Sequence, residues 1–186
     1  MQVLLDAEGV QRALRRLAAE LVQRAPQLDD LILIGIRRGG VPLAEQIAQY
    51  LNEMTGRQVS MGSVDITFYR DDVATRLPDP RIGPSQIPGQ LDARHVVLVD
   101  DVLFTGRTVR AAIDALMDYG RPPRVELAVL VDRGGRELPI QADYVGIRTE
   151  VPPGQRVDVV PVMGHPCAVL RPEGSPSLPP PQEIDR

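Results

Sequence analysis

The chain has 186 residues, of which 43% are hydrophobic and 25% charged, a balance typical of one soluble globular domain. Its formal net charge of −4 argues against nucleic-acid binding by overall charge, so any such binding depends on where the 21 arginines lie. The single cysteine, Cys167, excludes an internal disulfide and a cysteine-based metal cluster. No apolar run is long enough for a membrane span and no secretory leader is evident, so we expect a cytoplasmic protein without membrane contact.

The first half of the chain alternates between helical and extended patterns. A helix is predicted over residues 8–25, because apolar residues recur on one of its faces, namely Val10, Leu14, Leu17 and Leu21. A buried strand over 30–36, a helix over about 41–54 and a strand over 59–69 follow. Residues 70–90 are rich in charge, proline and glycine, which predicts a long loop, and long loops in compact domains are often lids.

The second half continues this alternation. Its predicted elements are a strand at 96–99, a helix at 106–119, strands at 125–131 and 144–147, and a small strand pair at 157–162 and 168–170. Repeated strand–helix units predict an α/β fold with a parallel sheet flanked by helices on both faces. We expect one domain over residues 1–171, with a small C-terminal hood at about 150–171 and a flexible tail at 172–186. An ordinary Rossmann domain is the alternative, but no Gly-x-Gly-x-x-Gly fingerprint follows the first strand.

The most informative motif spans residues 96–108. A continuous apolar strand ends in Asp100 and Asp101, at the strand end where open α/β sheets bind ligands. Carboxylates accept hydrogen bonds from sugar hydroxyls. The following residues open a helix, whose free N–H groups and dipole favour a phosphate, and these residues are Thr105, Gly106, Arg107 and Thr108. The motif predicts a sugar-phosphate site, and an ordinary strand–helix turn with a surface acid pair is the alternative.

A second loop, residues 35–40, also lies between a strand end and a helix. It carries Arg37 and Arg38 followed by two glycines. Two guanidinium groups beside free helix N–H groups suit a highly charged anion. A glycine turn with two solvated arginines is the alternative, but the motif at 96–108 favours the anion site.

The motif at 96–108 resembles the phosphoribosyl-pyrophosphate (PRPP) motif of type I phosphoribosyltransferases. Further segments at 65–72, 129–139 and 106–111 resemble the PyrR family, whose members are pyrimidine-operon attenuation regulators and uracil phosphoribosyltransferases. This resemblance covers about residues 3–160. It implies the type I phosphoribosyltransferase fold, the substrates PRPP and uracil, and the product UMP. It also implies Mg²⁺ as cofactor, acting mainly through PRPP with no direct protein ligand, and a homodimer or higher homo-oligomer.

The same resemblance assigns roles to individual residues. Asp100, Asp101, Arg37 and Arg38 are the expected catalytic residues, with the acids on the ribose hydroxyls and the arginines on pyrophosphate. Tyr69 and Arg70 would begin the lid. Phe104 stands where purine-specific relatives usually have an acid, which disfavours a purine substrate. The expected PRPP- and UMP-binding residues are Val102, Leu103, Phe104, Thr105, Gly106, Arg107, Thr108, Arg133 and Val157.

RNA binding is the regulatory half of what the resemblance implies, with a pyrimidine-operon leader stem-loop as partner. Arg12, Arg15 and Arg16 lie opposite the leucine stripe of the first predicted helix and form a basic ridge that suits phosphates. Arg24 and Arg136 are predicted to extend it. A solvated charged helix face is the alternative interpretation of the ridge.

Two other functions remain open on this sequence. One is a nucleotide-sensing RNA-binding regulator with vestigial catalysis. The other is a phosphoribosyltransferase for another base, without RNA function. Turnover of uracil separates the bifunctional protein from the first of these alternatives, and the basic ridge separates it from the second.

Overall fold

A computed structural model describes residues 2–25, 27–69 and 85–176. Its centre is a five-stranded parallel sheet in the order β3-β2-β4-β5-β6. The strands are β2 (Leu31–Ile36), β3 (Ser60–Val64), β4 (His95–Leu103), β5 (Arg124–Asp132) and β6 (Tyr144–Arg148). Parallel pairing brings the carboxyl ends of all five strands to one edge, where the loops predicted to bind ligands also lie.

Helices cover both faces of this sheet, which confirms the predicted fold class. They are α1 (Ala7–Arg24), α2 (Gly40–Thr55) and α3 (Arg107–Leu116). Alternate strand residues face opposite sides: Leu33 packs in the core with α1 and α2, and Ile34 packs in the core with α3. The predicted stripe on α1 is buried, and the Asp6 carboxylate caps this helix by accepting a hydrogen bond from the Gly9 N–H at 2.8 Å.

A second, antiparallel sheet has the order β1-β8-β7, with β1 (Gln2–Leu5), β7 (Gln155–Val162) and β8 (His165–Pro172). The sequence predicted only the pair β7–β8. Strand β1 was missed because four residues are too few to show a periodic pattern. Ala168 and Leu170 of β8 pack into the same core as α1, so the small sheet shares a hydrophobic core with the main sheet.

Several element ends differ from the predictions, and β8 is longer at both ends than the predicted 168–170. The strand predicted over 59–69 ends at Val64, because the Asp65 carboxylate accepts the Thr67 N–H at 2.8 Å and turns the chain into a short 3-10 helix. Strand β4 extends to Leu103, because Asp100 still pairs with Val129 of β5. The helix predicted over 106–119 ends at Leu116 and tightens into a 3-10 turn. The predicted lid lies largely outside the described residues, as does the tail from 177 onward.

No helix among the described residues combines the length and apolar character needed to cross a membrane.

A buried carboxylate lies near the amino-terminal ends of β4, β5 and β6, away from the ligand edge. The side chain of Glu126 is only 5% exposed, and it accepts hydrogen bonds from Tyr144 at 3.1 Å and from Arg124, while His95 Nε2 lies 2.6 Å from it. Burial raises the pKa of Glu126, but the hydrogen bonds outweigh burial and the net pKa lies below its ordinary value.

Replacing Glu126 with alanine should therefore lower the free energy of unfolding at neutral pH by about 3 kcal/mol, since it leaves buried partners unpaired. A depressed folded-state pKa contributes stability above the ordinary glutamate value of 4.5, and this contribution is lost as pH falls. Denaturant unfolding of the wild type and of Glu126→Ala, from neutral pH to below pH 4.5, measures this difference in the free energy of unfolding. Glu8→Ala is the control, because Glu8 is 83% exposed and its pairing with Arg12 should be worth at most about 1 kcal/mol. A loss for Glu126→Ala no larger than the control's would contradict the expectation.

Candidate active site

The acid pair lies at the carboxyl end of β4, in the centre of the sheet. Asp100 is 6% exposed and its carboxylate accepts the Asp101 N–H at 2.9 Å. The Asp101 carboxylate accepts the Val102 N–H at 2.7 Å. These two bonds fix the carboxylates beside each other with oxygens left to accept donors from a ligand.

Both acids have raised pKa values. Burial raises the pKa of Asp100 well above its ordinary value, and the charge of Asp101 raises it further. Burial also raises the pKa of Asp101, although the Val102 N–H partly opposes the effect. Two buried carboxylates side by side are unfavourable at neutral pH, so hydroxyl donors or a cation supplied by a ligand would relieve the site.

The loop between β2 and α2 passes directly over the acid pair. An alanine Cβ at Gly39 would lie 2.2 Å from Asp101 Oδ2, and one at Gly40 would lie 2.0 Å from the Val99 carbonyl oxygen. Only glycine permits this approach. The two predicted motifs are thus parts of one site, although about sixty residues separate them in sequence.

Arg37 and Arg38 begin this loop and are joined by a cis peptide bond. The Arg37 N–H donates to the Val64 carbonyl at 3.0 Å, and its Nε donates to the Ser63 hydroxyl at 3.3 Å. Strand β3 therefore supports the loop from the side opposite the acids.

The turn from β4 into α3, residues 104–108, is the predicted phosphate loop. Gly106 is the N-cap of α3 and has a φ of 91°, a left-handed conformation that glycine adopts without strain. No side chain caps the helix, and the Arg107 N–H donates to the Thr105 hydroxyl at a long distance of 3.3 Å. The first turn of α3 thus presents N–H groups and the positive end of its dipole, as an anion site requires.

Comparison with known proteins identifies this arrangement. The family model described as phosphoribosyl transferase domain matches residues 2–162. The chain belongs to the phosphoribosyltransferase family. Curated relatives named Bifunctional protein PyrR match this phosphoribosyltransferase closely. The one from Geobacter sulfurreducens is 57% identical over 144 residues, covering 77% of this chain and 81% of the relative. The one from Pelotomaculum thermopropionicum is 51% identical over 156 residues, covering 84% of this chain and 85% of the relative. The resemblance predicted from the sequence is confirmed.

Solved structures show the same fold at lower identity. A hypoxanthine phosphoribosyltransferase from Staphylococcus aureus is 21% identical with a TM-score of 0.61, covering 80% of this chain and 77% of that one. A hypoxanthine-guanine phosphoribosyltransferase from Bacillus anthracis is 17% identical with a TM-score of 0.63, covering 83% and 86%. These similarities support the type I fold, and at this identity they say nothing about the base.

The remaining residues predicted for ligand binding divide into two groups in this phosphoribosyltransferase. Phe104 is 40% exposed, and the Arg133 guanidinium stacks 3.9 Å from the centre of its ring. Val102, Thr105, Arg107 and Thr108 are at least partly exposed around the same loop. Leu103 and Val157 have side chains buried in the two cores, so only their backbone groups are placed to meet a ligand.

Tyr69 marks the beginning of the predicted lid and is held against α3. Its hydroxyl donates to the Asp118 carboxylate, and its carbonyl accepts Arg110 Nη2 at 2.8 Å. At the far end, the Asp65 N–H donates to the Ser85 hydroxyl at 2.9 Å. Residues 70–84, including Arg70, lie outside the described part of the chain, so the lid stays a prediction.

The arginines predicted for RNA binding have different surroundings. The side chains of Arg12 and Arg15 are 71% and 59% exposed. Arg16 donates to the Val145 and Gly146 carbonyls of β6, and Arg24 stacks on Tyr144. The Arg136 side chain is only 22% exposed and bonds within the loops of the active site. Arg12, Arg15, Arg16 and Arg24 are therefore all exposed, but Arg16 and Arg24 also contact β6, and only Arg136 is largely buried.

Sequence analysis missed Asp158 of β7. Its carboxylate accepts Arg156 Nε at 3.2 Å and Arg171 Nη1 at 3.0 Å, and its charge raises the pKa of Asp101. The small sheet therefore contributes a negative charge near the acid pair. No local motif marks this residue, because β7 reaches the acid pair only through the tertiary fold.

Proposed function

We propose that this phosphoribosyltransferase converts uracil and PRPP into UMP and pyrophosphate, and that it binds pyrimidine-operon leader mRNA in a UMP-dependent manner to control transcription attenuation. The proposed catalytic activity is supported by one observation: the acid pair, the arginine–glycine loop and the phosphate loop lie together in one site. The regulatory half is supported by the identity to relatives named Bifunctional protein PyrR.

In the proposed reaction the bond from C1 of PRPP to pyrophosphate breaks, the bond from uracil N1 to C1 forms, and the N1 proton passes to water. Asp100 and Asp101 would accept hydrogen bonds from the ribose 2′ and 3′ hydroxyls and orient the sugar. Arg37 and Arg38 would stabilise the negative charge that develops on the leaving pyrophosphate. The phosphate loop would hold the 5′-phosphate.

Magnesium fits this site as a substrate-bound ion. Among the described residues, no group of three or more His, Cys, Asp or Glu side chains is placed to bind a metal. Mg²⁺ commonly keeps several waters and binds one or two carboxylates together with substrate phosphates. Asp100 and Asp101 are the carboxylates available for this purpose, and the ion would neutralise charge on the pyrophosphate.

The surroundings of Phe104 favour uracil over a purine. Its ring cannot exchange a proton, and the group stacked on it is the Arg133 guanidinium, which cannot act as an acid at a purine ring. Asp132, which ends β5 next to Arg133, bonds instead to Arg136 at 2.6 Å. The backbone at the end of β5 would then face the polar edge of the smaller base.

We expect magnesium-dependent formation of UMP when uracil and PRPP are supplied, measured by product chromatography. Asp101→Asn should lower kcat/KM by about a hundredfold without lowering thermal stability, because a carboxylate–hydroxyl bond at the reacting ribose is weakened while a buried charge is removed. Turnover of hypoxanthine or orotate without turnover of uracil would support a phosphoribosyltransferase for another base. No turnover of any base, with intact UMP binding, would support a regulator with vestigial catalysis.

The exposed part of the ridge is the proposed RNA surface. Arg12 and Arg15 line a shallow depression beside Tyr50, and the Arg15 guanidinium lies 4.8 Å from the centre of that ring. Both arginines pair with acids, Arg12 with Glu8 at 3.2 Å and Arg15 with Glu53 at 2.9 Å. Such exposed pairs are weak, so phosphates can replace the carboxylates at small cost.

UMP should strengthen leader binding by roughly 5–150-fold, the usual range for two coupled sites. The double variant Arg12→Ala/Arg15→Ala should bind the leader more weakly. The slope of the logarithm of the binding constant against the logarithm of the salt concentration should also fall in magnitude, by about 1 for each phosphate that the variant no longer neutralises. Arg57→Ala with Arg121→Ala is the control, since it removes the same charge from other exposed arginines. Titrations of leader RNA and an unrelated stem-loop at several salt concentrations measure both effects. Equal binding by the two double variants would place the RNA surface elsewhere.

Two further expectations from the sequence stay predictions. One is a cytoplasmic location. The other is assembly into a homodimer or larger homo-oligomer.

A further inference from the structure

Arg136 lies behind the phosphate loop and joins three parts of the active site. Its Nε donates to the Ile140 carbonyl at 2.9 Å, and its Nη1 donates to the Phe104 carbonyl at 2.8 Å and to the Gly134 carbonyl at 3.2 Å. Its Nη2 donates to Asp132 Oδ1 at 2.6 Å. One guanidinium thus connects the end of β5, the phosphate loop and its own segment, residues 133–140.

The same segment makes further bonds to the phosphate loop. The N–H groups of Glu137 and Leu138 donate to the Thr105 carbonyl at 3.0 and 3.1 Å. The Glu137 carboxylate also accepts Arg107 Nε at 2.6 Å. The carbonyls of Phe104 and Thr105 are therefore both held toward residues 133–140.

Holding these carbonyls determines where the next N–H groups point. In a trans peptide the C=O of one residue and the N–H of the following residue point in opposite directions. The Thr105 N–H consequently points away from Arg136 and the Gly106 N–H away from Glu137 and Leu138, and neither donates to an acceptor in the described part of the chain. They are free to bind an anion on the side of the ligand.

We propose that Arg136 is a positioning residue, which orients the backbone N–H groups of the phosphate loop toward the 5′-phosphate of the nucleotide. It acts through the Phe104 carbonyl and does not touch the substrate. This inference rests on the proposed function, since it concerns the loop that holds the 5′-phosphate. It also gives Arg136 a role different from the RNA contact predicted from the sequence, because its N–H groups are already engaged inside the site.

The test compares Arg136→Gln and Arg136→Lys with wild type in calorimetric titrations of UMP and of magnesium pyrophosphate. UMP needs the phosphate loop, whereas pyrophosphate is expected at Arg37 and Arg38. Both variants should bind UMP about 10–100-fold more weakly, as when other orienting partners are removed, and should bind pyrophosphate as wild type does. Arg148→Gln is the matched control, because Arg148 faces the same Asp132 carboxylate at 4.0 Å but is 73% exposed.

Several outcomes would overturn this role. Unchanged UMP binding would show that the guanidinium does not orient the loop. Equal loss of UMP and pyrophosphate binding, or failure of Arg136→Lys to fold, would show a general structural role. Loss of leader-RNA affinity without UMP present, with UMP binding intact, would make Arg136 an RNA contact. Wild-type protein that binds neither ligand would instead contradict the proposed function.

Discussion

Replacing Gly39 with alanine should lower the rate of phosphoribosyl transfer by about a hundredfold or more. Gly39 has a φ of −70° and a ψ of −31°, which alanine adopts without strain, so the whole effect comes from contact. The new Cβ would lie 2.2 Å from Asp101 Oδ2 and must displace either the loop or the carboxylate. Misplacing a catalytic group by about 1 Å can cost roughly a hundredfold in rate, and this change displaces loops that we propose to bind ribose and pyrophosphate.

A double-mutant cycle identifies the cause of this loss. Thermal unfolding of Gly39→Ala should show a destabilisation that becomes smaller when Asp101 is also alanine, because the carboxylate is then gone. Gly56→Asn is the control, since Gly56 has open space around it and asparagine tolerates its left-handed backbone. Activity of Gly39→Ala near that of wild type would contradict the close packing of the two loops.

Asp100→Asn should have opposite effects on stability and activity. Because the pKa of Asp100 is raised in the folded state, folding favours the protonated form. The carboxylate therefore costs stability as pH rises above its ordinary value of 3.8, and the cost persists at neutral pH. Neutral asparagine removes that cost, so we expect a higher Tm at neutral pH and a difference that disappears in acid. Activity should fall by about a hundredfold or more as the ribose loses its acceptor.

Thermal unfolding over a pH series, together with initial rates, measures both effects. Asp29→Asn is the matched control, because Asp29 is 78% exposed and should change neither quantity much. An Asp100→Asn variant that is less stable than wild type at neutral pH would contradict the unfavourable burial of the acid pair.

Much of the fold could be predicted because its signals are local. The continuous apolar run before Asp100 indicates a strand covered on both faces, and residues 31–36 and 127–131 show the same pattern. The helices follow from apolar spacing. The end of β4 could not be predicted, because it depends on pairing between Asp100 and Val129 of another strand. Strand β1 forms only because β8 supplies a partner.

The candidate site was predicted in its parts but not in its assembly. Short motifs indicated the acids, both loops and Phe104, since each motif has its own local chemistry. The contact of Gly39 with Asp101, the charge of Asp158 near that acid and the bonds of Arg136 all join residues distant in sequence. The sequence alone does not show these contacts, so Arg16 and Arg136 were predicted to be surface charges. In the structure both donate hydrogen bonds to backbone carbonyls.

The pairing of β1 with β8 has a consequence for the order in which the protein folds during synthesis. Gln2 pairs with Leu170, so β1 leaves the ribosome well before its partner strand β8 and gains these hydrogen bonds only after β8 has been synthesised. The large sheet needs nothing beyond Arg148 and can form earlier. A nascent chain stalled after β6 should therefore protect its central strands from protease while β1 remains open to cleavage, and the small sheet, with Asp158, should be added last.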